Sequence, residues 1–138
     1  MKILMSPAKK AYLDMKYDSI SRFGLDWAAL IPVDSAYIWS PEAYSAEIPK
    51  EDILGLEAPL WSETISNIEE LEYLAFPRLP GYAELGWTPA RLRSWEEYRQ
   101  RLARQLPYFR EMGIQFYPSG RVPWMEADSL LPWRKVAE

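Results

Sequence analysis

Two residue types are missing altogether from this 138-residue chain: it has no cysteine and no histidine. Without cysteine there is no disulfide framework, no thiolate metal site and no sulfur nucleophile. Without histidine there is no Ser-His-Asp triad, no imidazole-ligated zinc and no base that titrates near neutral pH unaided. Any acid–base chemistry falls to carboxylates, Tyr, Lys or a bound partner. Long apolar runs are missing too. Nothing approaches the roughly 20 residues that span a bilayer, and Lys9 and Lys10 follow only a short apolar stretch, so neither a membrane nor a signal peptide is expected. Nor is there an excess of positive charge: 16 Lys and Arg against 20 Asp and Glu leave a net −4, which argues against nucleic acid as a partner. No glycine-rich phosphate loop and no metal-ligand cluster is visible, and no cofactor is expected.

What the chain has in plenty is aromatic residues. Its 7 Trp and 9 Tyr, with 4 Phe, make 14% of the sequence, beside 12 Pro. The apolar share of 49% and the charged share of 26% are those of an ordinary globular domain. The length suits one soluble domain with a real core.

Lys2 to Ser6 is a short apolar run stopped by Pro7 and reads as a buried strand. Residues 8–49 show no sustained period and are expected to form a long structured loop with one short helical turn. Their aromatic content argues against disorder, and loops of this length are usually functional. The stretch Ile53 to Trp61 is apolar on both parities, as in a strand buried on both faces of a parallel sheet. Glu57 inside it should be costly to bury unless bonded.

Ser66 and Glu69 are spaced as a capping box. They open a helix with apolar positions at Ile68, Leu71, Ala75, Leu79, Tyr82 and Ala83. Pro77 and Pro80 predict a kink or two stacked pieces, and Gly86 a stop. Ser94 and Glu97 form a second capping box, followed by a stripe of Trp95, Tyr98, Leu102, Leu106 and Phe109 and by Gly113 as the residue past the helix end. Pro107 is placed to bend that helix. The tail from Pro118 onward has no period and reads as a wrap over the body. Strand, loop, strand, helix, helix cannot close a barrel alone, so this α/β chain reads as the end of something larger.

In a strand, residues two apart share a face, roughly 6.6–6.8 Å from each other. Tyr12 and Asp14 follow the first strand, and Trp61 and Glu63 follow the second. Each pair sets an aromatic beside a carboxylate at the strand end where α/β folds bind ligands. A ring face packs on the C–H groups of a pyranose, and an ionised carboxylate accepts its hydroxyls with direction. The residues alone leave open a rim or core role for the tryptophan and a solvated one for Glu63. Trp27 could line such a pocket, and Trp39 fits loop core better. Arg78 in Phe76-Pro77-Arg78-Leu79 reads as a structural ion pair with acidic neighbours such as Glu84, ahead of a ligand contact. Glu96, Glu97, Arg99, Arg101 and Arg104 read as a solvated face.

The blocks Tyr12 to Asp18, Gly24 to Ala28, Leu54 to Thr64, Phe76 to Leu79 and Ala83 to Trp87 together resemble the C-terminal part of a bacterial β-N-acetylhexosaminidase of glycoside hydrolase family 20. The resemblance runs from Lys2 to Trp124. It implies a (β/α)8 TIM barrel of which residues 1–124 would be the last two strands with their helices, an incomplete barrel, followed by a tail, 125–138, of unassigned role. It implies substrate-assisted retaining hydrolysis, in which the 2-acetamido oxygen of the sugar attacks its own anomeric carbon. By the same resemblance Tyr12 would hydrogen-bond the acetamido oxygen. Asp14 and Glu63 would bind ring hydroxyls, Trp61 would form the platform under the sugar, and Trp27 would line the pocket or its mouth.

The family's adjacent Asp-Glu pair has no counterpart. Glu51-Asp52 precedes a strand, and Glu69-Glu70 and Glu96-Glu97 open helices. Losing a general acid costs roughly 10²–10⁴-fold, so no meaningful hydrolysis is expected of this chain alone. The expected partners are N-acetylhexosamine-terminated glycans and either a second copy of the chain or the missing N-terminal half of the barrel. The alternative reading is a non-catalytic carbohydrate-binding or partner-interaction module.

Overall fold

The computed structural model describes residues 1–125. The expected tail at 125–138 therefore lies, apart from Met125, outside the described residues. The first apolar run forms β1 (Ile3–Met5), and the second forms β2 (Ile53–Leu56). The two pair in parallel, Ile3 opposite Ile53 and Met5 opposite Leu56, with a register irregularity after Ile3. Strand β2 is shorter than the Ile53–Trp61 run: Glu57 still donates its amide to Met5 O at 3.0 Å, and beyond it the chain leaves the sheet, with Pro59 lacking the amide a ladder needs.

The expectation of burial on both faces fails for the same sheet. Leu4 and Leu54 are exposed, because two strands with helices on one side leave the other side bare. Glu57 is exposed as well, so its predicted desolvation cost does not arise.

The loop between the strands is more structured than one helical turn. It holds α1 (Ala8–Ala11), α2 (Val33–Tyr37) and two 3₁₀ turns at Pro41–Ala43 and Lys50–Asp52. Short pieces of this kind carry little periodicity of their own and are held by burial of Ala11, Leu13, Met15, Tyr17, Ile31, Val33 and Tyr37 in the core.

Helix α3 (Ile68–Ala75) begins one residue later than the sequence suggested. Asn67 is the cap and accepts from Glu70 N at 2.9 Å, and Glu70 Oε2 accepts from Ser66 N at 2.9 Å. A Ser-to-Glu69 box was the wrong register of the same device. The chain breaks at Phe76-Pro77, a cis bond, and resumes as α4 (Leu79–Trp87), so Pro77 divides the helix into two pieces.

The anticipated stripe is only partly correct, and the break accounts for its phase only from Leu79 onward. Ile68, Leu71, Leu79 and Ala83 are exposed, and the buried positions are Leu74, Ala75, Gly81, Tyr82 and Leu85. Gly86 is no stop: α4 runs through it, and a Cβ there would lie 3.2 Å from Leu56 Cδ2. Its lack of a side chain lets α4 pack closely on β2.

The last helix matches its pattern. Ser94 caps α5 (Trp95–Ala103), accepting from Glu97 N, and the chain bends at Arg104-Gln105 into α6 (Leu106–Glu111), with Pro107 in its first turn. Tyr98, Leu102, Leu106 and Phe109 are buried, and Gly113 takes φ +71° past the end. Residues 116–125 wrap back over the body. Trp124 and Phe116 rings meet at 5.0 Å, and Val122 is buried.

Candidate functional site

Tyr12, Asp14, Trp27, Trp61 and Glu63 come from three segments that meet beyond the ends of β1 and β2. Leu13 N donates to Pro59 O at 2.8 Å, tying the Tyr12–Asp14 stretch to the one that leads into Trp61. Trp27 arrives on the loop after Asp14. That loop folds back on its own start: Leu25 N donates to Asp14 O at 2.8 Å, and Lys16 N donates to Leu25 O at 2.7 Å. The turn needs Gly24, which sits at φ +102°, a region that side-chain-bearing residues rarely occupy.

The result brings three rings together. The half-buried Tyr12 ring stands edge-on to Trp27 and to Trp61, with both centroid distances 6.1 Å. Trp27 and Trp61 remain 65% and 51% exposed, so their faces are free to take an apolar surface. This is rim geometry for both, and not core.

The carboxylates divide by environment. Asp14 is 1% exposed, and its Oδ1 has no hydrogen-bond partner. Burial pushes its pKa up, the backbone amides of Asp14 and Trp61 pull it down, and the charge of Glu63 raises it again while that of Arg78 lowers it. Glu63 is exposed and close enough for its charge to be felt at Asp14. An orphaned buried carboxylate oxygen is costly to leave unbonded, and it is the kind of acceptor that a ligand hydroxyl would satisfy.

Among the other candidates, Trp39 is half-buried and donates Nε1–H to Ala36 O at 2.9 Å, the loop-core role that the sequence favoured. Arg78 is a correction. It makes no ion pair with Glu84; it is 1% exposed and donates to the carbonyls of Leu13, Met15, Ile31 and Leu74. The reason is spacing: the positions three and four away on either side, Leu74, Ala75, Gly81 and Tyr82, carry no acid, and Glu84 at i+6 faces elsewhere. Glu84 pairs instead with Arg101, at 2.7 and 2.8 Å. Glu96, Glu97 and Arg104 are solvated as expected, but Arg99 is half-buried and pairs with Glu96 at 2.8 Å, and Arg101 ties α5 to α4.

Gly24 and Arg78 are the residues whose part in the site sequence reasoning missed. For Gly24 the visible signal was the Phe23-Gly24 pair, and for Arg78 it was the lack of any acid within one turn. Among the described residues no helix is long and apolar enough to cross a membrane, and no group of three or more acidic, His or Cys side chains could hold a metal ion.

Aromatic faces and carboxylates gathered past the ends of parallel strands define a class: an α/β protein whose site chemistry suits a saccharide. Comparison with known proteins narrows this. The family described as "Glycosyl hydrolase family 20, catalytic domain" matches residues 1–90, and the chain belongs to that family.

A β-N-acetylhexosaminidase of Cellulomonas fimi is 38% identical over 122 residues, covering 88% of this chain and 25% of that protein. A β-hexosaminidase of Akkermansia muciniphila is 31% identical over 103 residues, covering 75% of this chain and 21% of its own. Among solved structures, the GH20 β-N-acetylhexosaminidase of Streptomyces coelicolor A3(2) superposes with a TM-score of 0.88 at 48% identity, over 90% of this chain and 25% of that one. The Streptomyces plicatus N-acetyl-β-hexosaminidase in complex with Thio-NAglucal matches with the same values. The chain therefore spans about a quarter of the length of these relatives.

Proposed function

We propose that this chain forms one wall of the sugar site of a β-N-acetylhexosaminidase, which removes terminal non-reducing N-acetylglucosamine or N-acetylgalactosamine by substrate-assisted retaining hydrolysis. In this reading β1 and β2 are the last two strands of a (β/α)8 barrel. The Tyr12 hydroxyl donates to the 2-acetamido oxygen and holds it for attack on the anomeric carbon. Trp61 lies under the pyranose, and Trp27 closes the mouth of the acetamido pocket. Asp14 and Glu63 accept ring hydroxyls and fix the non-reducing end. The observation that carries the reading is the edge contact of Tyr12 with both indoles beside a buried carboxylate oxygen without a partner.

The chain supplies no adjacent Asp-Glu pair to protonate the leaving group, and by itself it hydrolyses nothing. The open faces of Leu4 and Leu54 support its being covered by the rest of the barrel or by a second copy. Sedimentation of the purified chain tests this, and a monomer with a cooperative melt counts against it.

Calorimetric titration with N-acetylglucosamine tests the site. The expected Kd is about a millimolar, weakened roughly tenfold in Trp61→Ala by loss of the ring face. Tight binding that ignores this substitution would put the pocket elsewhere. A chromogenic N-acetylglucosaminide should stay intact with the chain alone and be cleaved when a polypeptide carrying the acid–base pair is added. Sugar binding without such rescue would favour a non-catalytic binding module.

A further inference from the structure

We propose that Arg78 is a positioning residue of the sugar site: from inside the core its guanidinium holds the backbone on both sides of Asp14 and the far end of the Trp27 loop, and so sets where a pyranose is gripped without touching it. This rests on the assignment of Tyr12, Asp14, Trp27, Trp61 and Glu63 to that site.

The geometry is specific. Nη2 donates to Leu13 O at 2.6 Å, and Nη1 donates to Met15 O at 2.9 Å. These carbonyls come from the residues immediately before and after Asp14, so the one planar cation brackets it. Nη1 also reaches Ile31 O at 3.2 Å, where the loop carrying Trp27 rejoins the body through Ile31 N and Lys16 O at 2.8 Å. Nη2 completes the set on Leu74 O at 2.7 Å, near the C-terminal end of α3. One fork thus ties the start and the end of the loop to the helix behind it.

A cation so deeply buried would ordinarily be paired with a carboxylate. Here the oxygens are all peptide carbonyls, one of them among the orphan carbonyls of a helix C-terminus, which favours positive charge. The Tyr17 ring lies 3.9 Å below the guanidinium carbon, and the Tyr17 hydroxyl points at the carbonyls of Tyr73, Leu74 and Phe76. A lysine could carry the charge but not this planar fork. A residue that only filled the core would not need four carbonyls from three segments, nor would its charge act at Asp14, where it opposes both burial and Glu63.

The test uses the full chain with Arg78→Lys and Arg78→Met. Arg101→Ala serves as a control that breaks a surface ion pair away from the loop. Three readings are taken: the Asp14 carboxyl titration by ¹³C NMR, the Trp27 indole N–H resonance, and the Kd for N-acetylglucosamine. In Arg78→Lys the Asp14 titration should stay near that of the parent chain, since the charge remains. The Trp27 resonance should shift, and the Kd should rise about tenfold, since the fork is lost. In Arg78→Met the Asp14 titration should also move upward. Arg101→Ala should lower the melting temperature and leave all three readings in place.

Unchanged Trp27 resonance and Kd in Arg78→Lys would overturn the proposal. So would equal changes in Arg101→Ala at an equal loss of melting temperature. Should Arg78→Met fail to fold, the lysine variant decides alone. If the parent chain binds no sugar while Arg78→Lys still moves Trp27, the sugar reading falls and the grip of Arg78 on the loop stands.

Discussion

Replacing Gly24 by alanine should damage stability and site together. An ideal Cβ at residue 24 would stand 2.9 Å from Asp14 O, 3.0 Å from Lys16 N and 3.0 Å from Leu74 Cδ2. Two of these are backbone atoms already engaged: Asp14 O accepts from Leu25 N, and Lys16 N donates to Leu25 O. No rotamer change relieves such a clash, so the pair of bonds that closes the loop must lengthen. The backbone at φ +102° costs a side-chain-bearing residue about 1–3 kcal/mol. Weakening two hydrogen bonds adds about 1–2 kcal/mol, for a total near 3 kcal/mol. That is a large part of the 5–15 kcal/mol typical of a domain.

Urea unfolding of Gly24→Ala should show a lower midpoint with an unchanged slope. The Trp27 indole resonance should shift, and N-acetylglucosamine affinity should fall with it. A loss below about 1 kcal/mol with the indole undisturbed would show that the loop yields freely, and the rigid coupling of Asp14 to Trp27 would be refuted.

The tyrosine stack and the acidic contacts make two further tests. Tyr98 lies flat on Tyr37 with centroids 4.2 Å apart, and its buried hydroxyl has no partner; Tyr98→Phe should leave stability unchanged or raise it by up to about 1 kcal/mol. Tyr37→Phe removes a hydroxyl that donates to Glu84 at 3.0 Å and should lose about 1 kcal/mol; chemical denaturation of the two side by side would contradict this if their order were reversed. The hydrogen bonds from Arg101 hold the Glu84 carboxyl below its ordinary value of 4.5. A carboxyl depressed in the folded state adds stability above its unfolded pKa and loses it as pH falls through the folded one. Melting temperature should therefore drop on acidification below about pH 4.5, with a shallower drop in Arg101→Ala.

Local patterns proved legible where a short stretch of chain decides the outcome. Ser94 and Glu97 opened α5 as written, because a cap needs only its own turn. Tyr98, Leu102, Leu106 and Phe109 went inward because their spacing follows the helix. Pro77 broke the long helix at the place it stood. The Tyr12/Asp14 and Trp61/Glu63 pairs stood out because each combines an aromatic and an acid after an apolar run; neither pair lies on a strand in the fold, so the meeting of their segments, and not strand parity, sets Tyr12 beside Trp61. The predicted extent of β2 was too long, since apolar content continues through Ala58, Pro59 and Leu60 after the ladder has ended.

Other features had no local signature. The stripe through Ile68, Leu71 and Leu79 was sound as periodicity and wrong as burial: only the last turn of α3, at Leu74 and Ala75, meets the core, and Leu79 lies past Phe76-Pro77, where the phase is lost. Glu57 looked buried in sequence and is exposed, since burial on both faces of a strand requires neighbours on both sides.

The two strands, the start of α5 and the helix break at Pro77 are thus set by residue type and spacing, which act within a turn or a strand. That Tyr12 meets both Trp27 and Trp61, that Asp14 is buried with one carboxylate oxygen unpartnered, and that Arg78 serves carbonyls instead of an acid were decided only by tertiary structure. The partners of Arg78 lie 4 to 65 residues away, and backbone carbonyls look the same at every position in a sequence until the chain folds.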